Sequence, residues 1–255
     1  MPAPPERLDS RTRFDRTACD YERFRPGYPA ELLDWVLATT GVEAGAPVAD
    51  LGCGTGISTR LLAARGLDVV GIEPSAAMLE RARRAGGGAR YRAGEAAATG
   101  LASASQALVT GAQAFHWFCD EPALREIARV LRPGAWCAAW WNVRRDDDPL
   151  QREYEALLHR HSAEYSRVPR PRQALERLAG HPRVRDWTPT ELAHQQLLDR
   201  EAFLGRARSS SYVAHGVADR GAFEAALSAL FDAHAVAGGL PLRYRVLAAC
   251  WRLVT

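Results

Sequence analysis

The sequence contains no lysine: all 33 of its basic side chains are arginines. That absence excludes two chemistries. A Walker-type phosphate loop needs its lysine on the β/γ-phosphates, and a Schiff-base enzyme needs a lysine amine as nucleophile. Cysteine is also sparse, with five residues, Cys19, Cys53, Cys119, Cys137 and Cys250, and no C-x-x-C pair. An odd number without metal spacing predicts free thiols. No run approaches the roughly 20 apolar residues of a membrane span. The opening MPAPPERLDSRTRF lacks an apolar h-region, which predicts no secretory signal and a cytoplasmic location. The net charge of +3 is small and the arginines are dispersed, so no nucleic-acid or membrane partner is expected.

What is present is 255 residues with 47% hydrophobic content, enough for one large domain. The chain is organised around residues 48–73, VADLGCGTGISTRLLAARGLDVVGIE. An apolar run ends in Asp50. A turn follows with Gly52, Gly54 and Gly56 at every second position, then a helix over Ile57–Arg65, then a second apolar run ending in Glu73. Glycine lets the chain turn sharply and lets a ligand approach the backbone. An acidic side chain at the end of the second strand can accept hydrogen bonds from a ribose.

Strand and helix patterns alternate five times between Val48 and Asn142. The helices begin at Ser75, as a cap, and at Asp120, and a weak helical stretch spans Ala96–Leu101. The short strands cover Tyr91–Ala93, Ala107–Thr110 and Ala135–Trp141. This alternation predicts a parallel sheet with helices on both faces. Its strand ends bring Asp50, Glu73, Glu95, Gly111 and Asn142 to one edge. Before it, residues 1–13 read as a frayed tail. Phe14, Ala18, Tyr21 and Phe24 fall at helical spacing, and Pro29 opens a helix that Gly41 stops. After it, the pattern predicts helices over Pro149–Ser166, Arg172–Leu178 and Glu201–Arg208, strands over Val184–Leu198 and Leu240–Leu253, and an amphipathic helix over Gly221–Ala235.

VADLGCGTG resembles the first motif of the class I S-adenosylmethionine-dependent methyltransferases, and VVGIEPSAAML their second. YRAGEAAATGL resembles their adenine-facing loop, and RVLRPGAW the turn before their fifth strand. Phe24–Pro29 (FRPGYP) and Ala112–Trp117 (AQAFHW) look like the trans-aconitate and menaquinone-biosynthesis type. Two departures stand out: Ala107 occupies a position where aspartate is common, and the adenine loop lacks its usual Leu-Pro.

The resemblance implies an α/β Rossmann-like sheet of seven strands, mostly parallel with the last antiparallel, carrying N-terminal helices and a helical lid. The implied organisation is a single domain with cap helices over residues 1–45, a cofactor-binding core over 46–148, a lid over 149–215 and a closing helix and strand over 216–255. It implies S-adenosylmethionine as cofactor, held by Tyr21, Asp50, Gly52, Gly54, Gly56, Glu73, Pro74, Met78, Gly94, Glu95, Ala96, Ala112 and Gln113. An acceptor pocket is expected from Tyr28, Phe115, His116, Trp117, Trp141, Asn142 and Tyr212, for an acid, another polar metabolite or a natural-product scaffold, in a monomer or homodimer.

Methyl transfer is an in-line displacement in which positioning does most of the work. A base is needed only where the nucleophile must lose a proton. His116 is the candidate base; the competing reading packs it under the lid. Glu155, His159 and His161 do not predict a metal site, because residues two apart on a helix face different ways. Two other functions stay open. A nicotinamide-dependent oxidoreductase would need G-x-G-x-x-G and a sixth parallel strand. A non-catalytic cofactor- or partner-binding protein would keep the same motifs.

Overall fold

The computed structural model describes residues 18–167 and 171–254. The expected tail at residues 1–13, Phe14, and residues 168–170 between two expected helices lie outside the described residues. The strands are β1 (Pro47–Leu51), β2 (Asp68–Glu73), β3 (Arg90–Ala93), β4 (Gln106–Ala112), β5 (Leu131–Arg144), β6 (Val184–Leu198) and β7 (Leu240–Leu253). They form one sheet in the order β3-β2-β1-β4-β5-β7-β6. β1 pairs in parallel with β2 and β4, β2 with β3, and β4 with β5. β7 runs antiparallel between β5 and β6. The expected seven strands and antiparallel last strand are therefore present.

The helices are α1 (Ala18–Phe24), α2 (Ala30–Thr40), α3 (Ile57–Ala63), α4 (Ala76–Ala85), α5 (Glu121–Val130), α6 (Pro149–His161), α7 (Pro171–Ala179), α8 (Arg200–Arg208), α9 (Ser211–Gly216) and α10 (Arg220–His234). Successive strand residues point to opposite faces, and this sorts the sheet into two cores. Ala49, Leu51, Val109, Cys137, Ala139, Trp141, Ala249 and Trp251 pack with α5 and α7. Val48, Leu108, Ala138, Trp140, Val246 and Cys250 pack with α2 and α3. The register agrees: Ala49 lies beside Val109, Val109 beside Cys137, and Cys137 opposite Trp251. Trp140, Trp141 and Trp251 are fully buried. Each takes roughly 150–250 Å² from water, worth about 4–6 kcal/mol at ~25 cal/mol per Å², so the middle of the sheet is its most stable part. A third core joins α6, α8, α9 and α10 to the start of β7.

Several local signals act as the sequence predicts. Gly41 closes α2 at φ +65°. Ser75 Oγ accepts from Met78 N at 3.2 Å, and Asp120 caps α5 through Ala123 N. Asp199, which the sequence pattern did not single out, caps α8, accepting from Ala202 N at 2.7 Å. An Asp199→Ala change removes that acceptor and should cost about 1 kcal/mol, read as a Tm lower by about 2–4 °C. The four described cysteines, Cys53, Cys119, Cys137 and Cys250, are free thiols.

Other details differ. Pro29 is the N-cap of α2, one residue before the helix. β4 runs on through Gly111 and Ala112, because Ala112 finds Trp140 as a partner on β5. Ala96–Leu101 is not helical. Glu95 and Ala98 bridge across a tight turn, and Thr99 N–H and Oγ1 are both held by Glu126 on α5. The Arg129 guanidinium holds that carboxyl down at about 2, and Thr99 adds to the effect. α6 stops at His161, where Ser162 bridges to Val217 and donates to Tyr212 O at 2.6 Å. The span 149–215 is not wholly helical either. β6 divides it, because its backbone pairs with β7 from Val184 to Leu198. The helices of that span are thus α6 and α7 before β6, and α8 and α9 after it.

Candidate active site

The glycine turn after β1 is held from beneath. Gly52 N and Cys53 N both donate to Ile72 O, at 2.8 and 3.2 Å, and Gly56 N donates to Cys53 O at 2.9 Å. Gly52, Gly54 and Gly56 all have positive φ, at +63°, +56° and +79°. Their surroundings differ. A Cβ on Gly52 would lie 2.7 Å from Ala114 Cβ, whereas a Cβ on Gly54 would meet no atom within 4 Å. Gly52 is therefore required by packing, and Gly54 opens onto free space.

Glu73, at the end of β2, accepts from Gly54 N and Ser75 N, each at 3.0 Å. Asp50 takes a different place from the one expected. It is fully buried, and its two oxygens accept from Thr59 Oγ1 and Thr110 Oγ1 at 2.7 and 2.8 Å. It fastens the turn to α3 and β4 and presents no oxygen to a ligand. Burial raises its pKa to about 6, against the pull of the two hydroxyls.

A shallow cleft, about 380 Å³ with the open solvent at its mouth included, lies above the turn. Tyr21, Tyr28, Gly52, Ala112 and Gln113, all expected at the site, line it. So do Arg25, Pro26, Cys53, Thr55, Ile57 and Ser58, which sequence reasoning did not single out. Arg25 and Pro26 stood within the FRPGYP run; the two hydroxyls carried no signal of their own. Thr55 Oγ1 and Ser58 Oγ are buried without a hydrogen-bond partner among the described residues. Gln113 holds φ +56°, uncommon for a residue with a Cβ; its N–H donates to Trp140 O at 2.8 Å. Gly94 N donates to Glu73 O at 3.4 Å, which brings the Gly94–Ala96 loop to the same edge. Pro74 is half-buried, Glu95 is exposed and Met78 is buried under α4. An open Gly54 face, an acidic strand end and two orphaned hydroxyls form a fitting cradle for a nucleoside with a charged polar tail.

The expected acceptor pocket is partly corrected. Phe115 and Trp141 are fully buried in the α5–α7 core, with Phe115 against Trp251 at 5.1 Å between ring centroids. On β5 it is Trp140 that turns toward the cleft side, edge-on to Tyr28 at 6.0 Å. Asn142 Nδ2 donates to Gly27 O at 3.0 Å, tying the FRPGYP run to the sheet. Tyr212 sits on α9 beside Arg144. Trp117 is half-buried against the His116 ring, at 4.9 Å between centroids.

His116 does not fit the role of a base. Its Nδ1 accepts from Trp141 Nε1 at 3.0 Å, so the lone pair of the neutral ring is engaged and Nε2 carries the proton. Burial, then the Arg177 charge, lowers its pKa to about 4. The ring is neutral when folded and takes a proton more readily unfolded, at its ordinary pKa near 6.5. Between those values the unfolded chain holds more protons, so His116 costs stability as pH falls from 6.5 toward 4. Asp50 acts in the opposite sense below about 6, because the folded carboxyl takes its proton first. His116→Asn keeps an acceptor for Trp141. Its Tm should fall less on acidification than that of the wild type, with kcat within a few-fold. A loss of about 10²–10⁴ in kcat, the value of general-base catalysis, would restore the base.

Among the described residues, no three or more His, Cys, Asp or Glu gather as a metal site. Nor is any helix long and apolar enough to cross a membrane.

A family described as "Methyltransferase domain" matches residues 49–139. An uncharacterized methyltransferase of Mycobacterium tuberculosis is 35% identical over 193 residues, covering 68% of this chain and 78% of its own. A methyltransferase-like protein of Schizosaccharomyces pombe is 34% identical over 157 residues, covering 61% of each; the chain thus spans about six-tenths of that relative's length. The solved structure of a protein designated a type II methyltransferase, from Anaeromyxobacter dehalogenans, superposes with a TM-score of 0.67 at 27% identity, covering 89% of this chain and 97% of that one.

Proposed function

The chain belongs to the class I S-adenosylmethionine-dependent methyltransferases, and from that premise we propose that it methylates a small-molecule acceptor, as a cytoplasmic monomer or homodimer. The observation that carries the reading is the cleft above the glycine turn, lined by Thr55 and Ser58 with hydroxyls unpartnered among the described residues, and the Glu73 carboxylate that holds Gly54 N–H in that turn. Glu73 would accept from the ribose hydroxyls. Gly94–Ala96 would border the adenine. Thr55, Ser58 and Arg25 would receive the amino-acid end, and Ala112–Gln113 would close the cleft beside them. Bound there, S-adenosylmethionine supplies a sulfonium-borne methyl group open to in-line attack by an oxygen, nitrogen, sulfur or carbon nucleophile.

The chain's own residues position and shield. Tyr21 and Tyr28 line the cleft, and an aromatic lining suits a cation. Asn142 holds the Gly27 backbone, and with it the Tyr28 side of the cleft, against β5. No base is assigned, which agrees with chemistry that depends mainly on holding two reactants in line.

Calorimetry with S-adenosylhomocysteine and with a nicotinamide dinucleotide tests the cofactor assignment. Saturable binding of the first alone is expected; binding of the dinucleotide alone would overturn it. An acceptor panel scored by release of S-adenosylhomocysteine then tests turnover. Release with no acceptor in a broad panel would leave a binding protein and not an enzyme.

A further inference from the structure

Three guanidinium groups meet beside the cleft, with no carboxylate among them from the described residues. Arg25 follows α1, Arg144 ends β5, and Arg206 lies in α8 with 7% exposure. Arg25 Nη2 and Arg206 Nη1 both donate to Ser210 Oγ, at 3.4 and 3.3 Å. Arg144 donates to the hydroxyls of Tyr212, at 3.3 Å, and Tyr165. The rings of Tyr21, Tyr154 and Tyr165 cover guanidinium faces at 4.6–5.5 Å. The Nε atoms of all three arginines are buried and unpartnered. Among the described residues, no Asp or Glu lies within 4.0 Å of any of them. The nearest acid in the network is Glu155, which accepts from Tyr165 OH at 3.2 Å.

Elsewhere this chain pairs its half-buried arginines with acids, as in Arg81–Glu22 at 3.1 Å and Arg183–Glu121 at 2.9 Å. A buried charge is costly unless paired, so three together with no carboxylate partner among the described residues form a site short of negative charge. Tyr212 reports the same field. Burial pushes its phenol up, yet Arg144, Arg206 and Arg25, with the Ser210 hydroxyl, bring it down to about 7. Arg144 and Tyr212 keep partial exposure and Arg25 lines the cleft, so the cluster opens to solvent.

We infer that this cluster is the acceptor site's anion pocket: Arg144 and Arg206, with Ser210 and Tyr212, hold a carboxylate or phosphate group of the methyl acceptor, and Arg25 stands between that group and the cofactor cleft. The inference rests on the methyltransferase reading for the word acceptor, not for the anion. Guanidinium forks suit both oxyanions.

The test titrates protein saturated with S-adenosylhomocysteine, by calorimetry and thermal melting, with phenylacetate, inorganic phosphate and neutral phenylacetamide. At least one anion should bind saturably and raise Tm, while the amide does neither; which anion binds separates carboxylate from phosphate. Occupation should also raise the Tyr212 pKa, seen as lost phenolate absorbance near neutral pH in the wild type and not in Tyr212→Phe. Arg144→Gln and Arg206→Gln should each weaken the anion by about tenfold or more, the loss of a charge-assisted hydrogen bond, with S-adenosylhomocysteine affinity nearly unchanged. Equal binding of amide and acid, or no anion binding by the wild type, overturns the pocket. So does an equal loss of S-adenosylhomocysteine in the arginine variants, which would give these side chains to the cofactor. If the wild type binds the anion but never S-adenosylhomocysteine, the methyltransferase reading fails and the pocket stands.

Discussion

Alanine at position 52 will destabilise the whole protein and impair cofactor binding with it, whereas alanine at position 54 will leave the protein folded and weaken ligand binding alone. Both glycines have positive φ, so each substitution carries about 1–2 kcal/mol for the left-handed conformation. At Gly52 the new Cβ also stands 2.7 Å from Ala114 Cβ and 3.2 Å from the Phe118 ring. Ala114 has no side-chain freedom to yield, and the Gly52 backbone is tied to Ile72 O. Overpacking of this kind adds about 1–3 kcal/mol. The sum, roughly 2–5 kcal/mol, lowers the Tm of a domain this size by on the order of 10 °C. At Gly54 there is nothing for the Cβ to strike, so Tm should fall by only about 2–8 °C. The methyl group instead enters the space assigned to the cofactor, and S-adenosylhomocysteine affinity should drop at least about tenfold, the cost of one clash of 1.4 kcal/mol or more. A Gly54→Ala protein that binds like the wild type would show that the open space belongs to something else.

The same stretch shows what a sequence can and cannot disclose. The glycine spacing, the acidic end of β2 and the strands β6 and β7 were readable because they rest on local rules: φ, capping and alternation. The faces of adjacent tryptophans were not. In AWCAAWW, Trp140 and Trp141 must point to opposite sides of β5, but which one packs on the Tyr28 side depends on pairing with β4 and β7. A shift of one residue exchanges them. Trp141 was expected in the pocket and lies in the core, and Phe115 followed it there. Asp50 was misplaced for a related reason. Its position beside the turn was legible, but the two threonines that consume its oxygens come from α3 and β4, nine and sixty residues away. Arg206 is the hardest case. It shares an inward face of α8 with Phe203 and Ala207, where a charge reads as an interruption of an apolar stripe. Only the fold brings Arg25 and Arg144 to it.

Glu73→Gln should lower affinity for S-adenosylhomocysteine by about 10–100-fold, the value of one hydrogen bond to a charged group at ~1.5–3 kcal/mol. The carboxylate is 7% exposed, and each oxygen already accepts one backbone N–H, from Gly54 and from Ser75. Glutamine keeps one acceptor. Its amide nitrogen must then face a backbone N–H, donor against donor, so the turn that forms the cradle is disturbed together with the ribose contact. The two effects separate in a double-mutant cycle that pairs the substitution with an S-adenosylhomocysteine analogue lacking the ribose 2′-hydroxyl. If Glu73 accepts from that hydroxyl, the wild type should prefer the natural ligand by about tenfold or more, and the variant should discriminate little. Losses that simply add would mean that Glu73 acts through the turn alone. The ribose contact would then have to be reassigned to another group at the β2–β3 edge, where Glu95 is the exposed acid within two residues of β3.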